Sequence, residues 1–296
     1  MGNYEIALVL GMAAGFFCRL LLLRSDYRRY PGYPHGYVTH LSLAAVASLI
    51  GALAPLALIK REYTAVTFLA LAAQQFREIR DMERKTLGQL EQNELVKRGQ
   101  DYIEGIARVF EARNYLVMFT SSGSSLATYY LGWKIGLAVM VLFILISNRL
   151  KRGRFVRDIA EVVPVDFGFK GAHLEIDGVV IMNVGLAEAR EKLKREALAV
   201  KLKPIDDDGR AILHDAGQRQ AILHTVAAVI GSKREIGEPE WTPLARKNID
   251  TGEILLFILP NEKDLECLIE AVKMTPVLES AVNRPLKSRI GRAAAD

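Results

Sequence analysis

Three groups of residues in this chain are of the types that hydrolases use as nucleophile, base and acid. The serine-rich run 121–125 offers hydroxyls, including that of Ser122, His224 is a base by type, and Asp250 begins an Asp-Thr-Gly triplet like that of aspartic proteases. No histidine lies near the serines in sequence, and the run Ala-Arg-Lys-Asn at 245–248, rather than an apolar strand, lies upstream of Asp250. Helix packing and a glycine-containing turn are therefore the favoured interpretations, and Ser122, His224 and Asp250 remain as candidates for proteolysis.

Metal and cofactor sites are not indicated. His214 and His224 each end a copy of Ala-Ile-Leu-His, but their spacing of ten residues does not place them on one helical face. The run 206–209, Asp-Asp-Asp-Gly, lacks the alternating ligands and terminal Glu of a calcium loop and predicts a turn. Cys18 and Cys267 stand apart. We therefore predict no metal and no cofactor.

The charge of the 296-residue chain, +5 with a pI of about 9.1, does not by itself indicate nucleic acid. No basic patch interleaved with aromatic residues is present in the sequence. Basic residues instead flank apolar runs, as expected where they hold membrane loops on the cytoplasmic side. We predict a lipid bilayer as a partner and no nucleic acid.

Residues 1–157 are predicted to form a polytopic α-helical membrane domain of about five spans, because several apolar runs approach the ~20 residues that a bilayer requires. The third run is interrupted by Gln74, and the fourth is rich in hydroxyls that neighbouring helices must satisfy, so full crossing by these two is left open. The five predicted spans are Tyr4–Leu23, Val38–Ile59, 63–80, 114–130 and Ile135–Ser147.

The distribution of basic residues predicts a multi-pass protein of the cell membrane with its N-terminus outside. The loop 24–37 with Arg28 and Arg29, the helical loop 77–113 and the basic run 149–154 would then face the cytoplasm.

Residues 158–284 are predicted to form a soluble, cytoplasmic α/β (α+β) domain, followed by a basic flexible tail over 285–296. Alternating short apolar runs and amphipathic segments indicate strands and helices. Asn261 is predicted to cap the last helix. The predicted elements are a strand at 179–184, a helix at 186–198, and strands at 199–202 and 254–259.

The hexapeptide Tyr-Ile-Glu-Gly-Ile-Ala at 102–107 resembles the signature of the YIEGIA protein family, and the likeness extends through residues 108–115 and 217–224. The family comprises membrane proteins of endospore-forming Firmicutes. The resemblance implies a sporulation-associated membrane protein and supplies no catalytic residue. The motif residues taken as functional are Tyr102, Ile103, Glu104, Gly105, Ile106, Ala107, Arg108, Glu111 and Arg113, with Gly217, Gln218, Arg219, Gln220 and His224 in the second half.

The hexapeptide is predicted to lie on a helix with an apolar stripe and a charged stripe. Glu104, Arg108 and Glu111 recur at helical spacing, so Glu104 and Arg108 are expected to form an ion pair. The stripe is either a solvated helix face or, because it runs into an apolar segment where unpaired charge is costly, a functional surface.

These observations favour a sporulation-associated membrane scaffold or regulator that binds a protein partner through its cytoplasmic domain. No complete catalytic constellation is present in the sequence, so an enzyme is not the favoured class. The alternatives are a membrane-embedded protease and a small transporter or channel. A homo-oligomer is left open.

Overall fold

The first half of the chain is helical. Long apolar runs favour helices there, and the breaks between them fall at turns such as Gly132, whose φ of +92° suits glycine. The helices are α1 (Asn3–Asp26), α2 (Pro34–Ile59), α3 (Tyr63–Leu90), α4 (Gln100–Leu131) and α5 (Trp133–Leu150).

The structure is a computed structural model that describes residues 3–26, 34–150, 153–235, 238–239 and 241–282. The chain divides into two units. The first, here called the helical unit, comprises residues 1–86 and 106–152, and the second, the mixed unit, comprises 87–105 and 153–296. Arg28, Arg29 and the predicted tail 285–296 lie outside the described residues.

Helices of the helical unit approach closely at glycines that face hydroxyl side chains. A Cβ atom on Gly51 would lie 2.8 Å from the Cα of Met118, so only glycine fits there. Ser121 and Ser122 donate hydrogen bonds to the carbonyl oxygens of Gly11 and Gly51, each at 2.7 Å, and Ser125 donates to the carbonyl of Ala52 at 3.1 Å. The serine-rich stretch of α4 therefore packs against α1 and α2.

The prediction of about five membrane spans is wrong. Among the described residues, two helical stretches are long and apolar enough to cross a bilayer, Asn3–Leu23 and Tyr37–Ile59. The apolar part of α5, Trp133–Ser147, is shorter than the ~20 residues that a span requires. The second half of helix α3, from Arg77 onward, is rich in charged residues. The hydroxyl groups in the middle of α4 donate hydrogen bonds to other helices.

The second half of the chain contains short strands and helices. Aspartates 206, 215 and 264 cap α7, α8 and α9, each accepting a backbone N–H three residues on. The helices are α6 (Ala187–Glu196), α7 (Asp207–Leu213), α8 (Ala216–Ile230), α9 (Leu265–Lys273) and α10 (Glu279–Val282). The strands are β1 (Ala160–Pro164), β2 (Phe167–Lys170), β3 (His173–Ile176), β4 (Val179–Asn183), β5 (Leu198–Pro204), β6 (Arg234–Glu235), β7 (Glu238–Pro239), β8 (Leu244–Lys247) and β9 (Ile254–Ile258).

The strands form small antiparallel sheets in the orders β1-β5-β9-β8, β2-β3-β4 and β6-β7. Every residue of β9 is buried, as suits a central strand. A shared core joins the two larger sheets, and Phe167 on β2 contacts Phe257 on β9 edge-to-face with ring centroids 5.2 Å apart.

The predicted fold class is thus wrong, because the chain is mostly helical with small antiparallel sheets rather than a five-span domain followed by an α/β domain. Several individual elements are predicted correctly. The strands predicted at 179–184, 199–202 and 254–259 and the helix at 186–198 are present as β4, β5, β9 and α6. The cap predicted at Asn261 is wrong, since Asp264 accepts from the N–H of Cys267 at 2.9 Å.

Candidate functional site

The two sequence motifs meet within the mixed unit, where residues 91–102 pack against helix α8. We call these contacts the joint. Its centre is His224, which is buried on α8. The imidazole Nδ1 lies 2.6 Å from the carbonyl oxygen of Val96, and the Nε atom of Arg98 donates to Nε2 at 3.0 Å.

These two partners fix the protonation state of His224. A carbonyl oxygen only accepts hydrogen bonds and an arginine only donates them, so Nδ1 carries the hydrogen and Nε2 is the acceptor. Burial lowers the pKa of His224, and the nearby Arg98 lowers it further. The carbonyl of Val96 and the carboxylates of Glu94 and Glu91 act in the opposite direction. The net shift is downward, so the neutral form is favoured near pH 7.

Helix α8 presents two further residues of its motif to the same segment. The Gln220 side-chain amide donates to the carbonyl of Lys97, and the side chain of Gln220 lies beside Gly99, which has a φ of +92°. A Cβ atom on Gly217 would lie 2.8 Å from the Cβ of Asp101. The segment and α8 therefore approach closely where both carry glycine.

Gln218 on α8 is fully buried and connects the helix to a different stretch of the mixed unit. Its amide nitrogen donates to the carbonyl of Pro276 at 3.1 Å, and its amide oxygen accepts from the N–H of Leu278 at 2.7 Å. Arg219 donates to the carbonyl of His214 at 2.6 Å, at the turn that precedes α8. These motif residues thus position the helix that carries His224.

The segment also has internal support. The backbone N–H of Arg98 donates to the carboxylate of Glu91, which is buried in a 3₁₀ turn after α3. Tyr102 begins the hexapeptide on α4, is buried, and contacts His224 edge-to-face with ring centroids 6.5 Å apart. Ile103 donates its N–H to the carbonyl of Gly99 at 3.2 Å. The first residues of the hexapeptide thus complete the joint.

The remaining hexapeptide residues lie further along α4. Ile106 and Ala107 are buried, whereas nothing lies within 4 Å of the position where Gly105 would carry a Cβ atom. Further along, in the helical unit, Glu111 accepts from Arg80 of α3 at 3.1 Å, with both side chains partly buried. Glu111, which belongs to the charged stripe predicted with Glu104 and Arg108, therefore takes part in an ion pair between helices α3 and α4.

The three protease candidates have structural contacts of their own. Ser122 belongs to the helical unit and donates its hydroxyl to a backbone carbonyl, as described above. Both ring nitrogens of His224 are engaged in the joint. Asp250 is exposed in the turn between β8 and β9, and its N–H donates to the side chain of Asn248 at 3.0 Å. Among the described residues, no group of three or more His, Cys, Asp or Glu could hold a metal ion.

The sequence reasoning missed the residues that receive α8, namely Glu91, Val96, Arg98, Gly99 and Asp101. The recurrence of apolar residues at helical spacing predicts a helical loop over 77–113 and gives no sign of the non-helical stretch 94–99. Gly99 was the available signal, since a glycine between two helical patterns indicates a break. The roles of the carbonyl oxygens at positions 96 and 97 could not be predicted, because every residue type carries a backbone carbonyl.

Comparison with known proteins gives a family match and a relative, each of which covers nearly the whole chain. The family model described as YIEGIA protein matches residues 7–288. The chain is 39% identical over 286 residues to the "Uncharacterized protein YphB" of Bacillus subtilis (strain 168), covering 96% of each protein. No solved structure matches the chain. A match across nearly the whole length means that the chain belongs to the YIEGIA family, here with its name-giving hexapeptide at residues 102–107.

Proposed function

We propose that this protein is a membrane-associated scaffold or regulator of sporulation that binds protein partners through its mixed unit. The joint carries the proposal, because the most distinctive residues of both motifs fix the position of a loop and a helix. Their donors and acceptors are occupied by structural hydrogen bonds. A motif used in this way suits a protein that presents a surface rather than one that performs a reaction.

Membrane association is supported by the two apolar helices of the helical unit. On α1, Val9, Phe17 and Leu21 are each more than half exposed and recur at multiples of four residues, which places them on one helical face. Val38 and Leu58 on α2 are likewise more than half exposed. These exposed apolar residues on helices long enough to cross a bilayer support membrane association, because water disfavours such a surface.

A cytoplasmic location for the mixed unit is part of the proposal, motivated by the basic residues 149–157 that precede it. An external N-terminus together with a cytoplasmic mixed unit would require an odd number of membrane crossings. Helices α1 and α2 would supply two crossings, which place both on the same side of the membrane. A reporter fused after Arg157 tests the location of the mixed unit. Activity of an externally active reporter there would contradict the proposal.

The function is tested in sporulating Bacillus subtilis in which a tagged copy of this chain replaces YphB. We expect the tagged protein in the membrane fraction, specific crosslinks to the mixed unit, and a spore yield that falls when the gene is removed. Ser122→Ala and Asp250→Asn are matched controls and should leave spore yield unchanged. A soluble protein without crosslinks, or a normal spore yield without the gene, would contradict the proposal.

A further inference from the structure

We propose that the joint is a pH-sensitive latch, in which protonation of His224 releases residues 94–99 from helix α8. The proposal concerns the mixed unit alone and does not depend on the proposed function. It starts from the hydrogen-bond pattern at the imidazole, where Nδ1 faces a carbonyl oxygen and Nε2 faces the guanidinium of Arg98.

Only one of these two hydrogen bonds survives protonation. The Nδ1 hydrogen is present in both forms of the ring, so the bond to Val96 persists. A proton on Nε2 converts the acceptor for Arg98 into a second donor, across a distance of 3.0 Å. Arginine stays charged at all relevant pH values, so it cannot reverse its role. Protonation therefore replaces a hydrogen bond by two cations whose N–H groups point at each other.

The charged groups around the ring decide how strongly the closed joint resists the proton. Arg98 opposes it, while Glu91 and Glu94 on the same segment favour it. The carboxylate of Glu91 is already an acceptor for the N–H of Arg98. Helix α8 contributes the uncharged Gln220, and Tyr102 contributes a ring edge. Burial of His224 adds to the effect of Arg98, so the open form takes up the proton more readily than the closed form.

Opening of the latch is measurable by hydrogen–deuterium exchange on the full-length protein in detergent micelles. Peptides that cover residues 94–102 are followed at pH 7.5 and pH 5.5, after correction for the intrinsic pH dependence of exchange. A peptide from α9 serves as an internal reference. If the open state titrates at the ordinary histidine pKa of 6.5, one imidazole raises the opening equilibrium by up to about tenfold over this range.

Two variants distinguish opening caused by protonation of His224 from a general destabilisation of the protein at low pH. His224→Gln retains an amide donor and an amide acceptor but does not titrate, so its segment should exchange equally at both pH values. His214→Gln is the matched control, because His214 ends the other Ala-Ile-Leu-His copy and contacts the carbonyl of Gly252 instead. It should keep the wild-type pH dependence.

A several-fold rise in exchange at pH 5.5, confined to residues 94–102 and lost in His224→Gln, supports the latch. A change below twofold in the parent protein overturns it. The same is true if His224→Gln keeps the pH dependence, or if His214→Gln abolishes it. Should His224→Gln fail to fold, Arg98→Gln replaces it, because removal of the cation should reduce the pH effect.

Discussion

The serine contacts of the helical unit and the joint of the mixed unit bury polar groups by different means. In the helical unit, serine hydroxyls donate to backbone carbonyls of neighbouring helices, and glycines allow the backbones to approach. In the mixed unit, long side chains on α8 reach the carbonyls of a loop, and one of them is a histidine paired with an arginine. The serine–carbonyl contacts contain no group that titrates near neutral pH, whereas the joint does. The helical unit also holds a buried histidine, His40, whose Nδ1 atom lies 3.0 Å from a guanidinium nitrogen of Arg19. The difference predicts that the two sets of contacts respond differently to larger side chains, to removal of a chain segment and to a lower pH.

The largest effect is expected from adding bulk where helix backbones touch. Gly51→Leu places a side chain against the backbone of Met118, which cannot move without displacing α4. Overpacking of this kind costs about 1–3 kcal/mol and occasionally more, and a backbone clash belongs at the upper end. We expect loss of the folded protein, measured as abundance in the membrane fraction and as protease resistance. Gly88→Ala is the control, since nothing lies within 4 Å of a Cβ atom there. Equal tolerance of both substitutions would contradict the packing described.

Excision of the mixed unit should have the next largest effect. Residues 158–284 contain both larger sheets and α6 to α10, but they lack the segment that covers one side of α8. Without residues 87–105, His224 and Gln220 lose their carbonyl partners, and each lost hydrogen bond removes about 0.5–1.5 kcal/mol of net stability. We expect 158–284 alone to melt at a lower temperature than a version with 87–105 attached by a flexible linker. Equal melting temperatures would show that the segment adds no stability.

Gly217→Ala tests the close approach within the joint. The added methyl group would overlap the side chain of Asp101, which is short and belongs to the first turn of α4. A loss of about 1–3 kcal/mol in the free energy of unfolding is expected, observable as a lower melting temperature. Asp101→Gly removes the opposing side chain and should recover part of that loss in the double variant. If the double variant shows no recovery, the clash is not the cause.

These predictions rest on contacts that the sequence revealed unevenly. Strand β9 was predictable because five consecutive apolar residues suit a strand buried on both faces. The spans were overcounted because an apolar run has the same composition whether it faces lipid or other helices. The hydroxyls of α4 were correctly attributed to helix packing, but the residues that carry them were also counted as part of a membrane span. The contacts of the joint could not be predicted, because two of its acceptors are the backbone carbonyls of Val96 and Lys97, which lie more than a hundred residues from their partners in sequence.

The pH dependence of stability should distinguish the joint from the serine contacts further. His224 is neutral in the folded state and its pKa is lowered, so the unfolded chain binds more protons once the pH falls below about 6.5. Its contribution to stability is complete above that value and declines as the pH falls toward the folded-state pKa. The slope is at most about 1.4 kcal/mol per pH unit. Melting curves of the parent and of His224→Gln between pH 7.5 and 5.5 provide the measurement, and parallel pH profiles would exclude His224 as the source.

The smallest effect concerns Gly105, the glycine of the hexapeptide itself. It lies within α4, and a Cβ atom there would meet nothing within 4 Å. Alanine in a helix interior is favoured over glycine by about 0.5–1 kcal/mol, so Gly105→Ala should raise the melting temperature slightly. Gly88→Ala within α3 offers the same open space and should stabilise by a similar amount. If Gly88→Ala stabilises while Gly105→Ala lowers crosslinking or spore yield, a partner approaches the backbone at Gly105, and the glycine serves recognition. If both variants behave alike in stability and in cells, the hexapeptide needs its glycine neither for folding nor for binding.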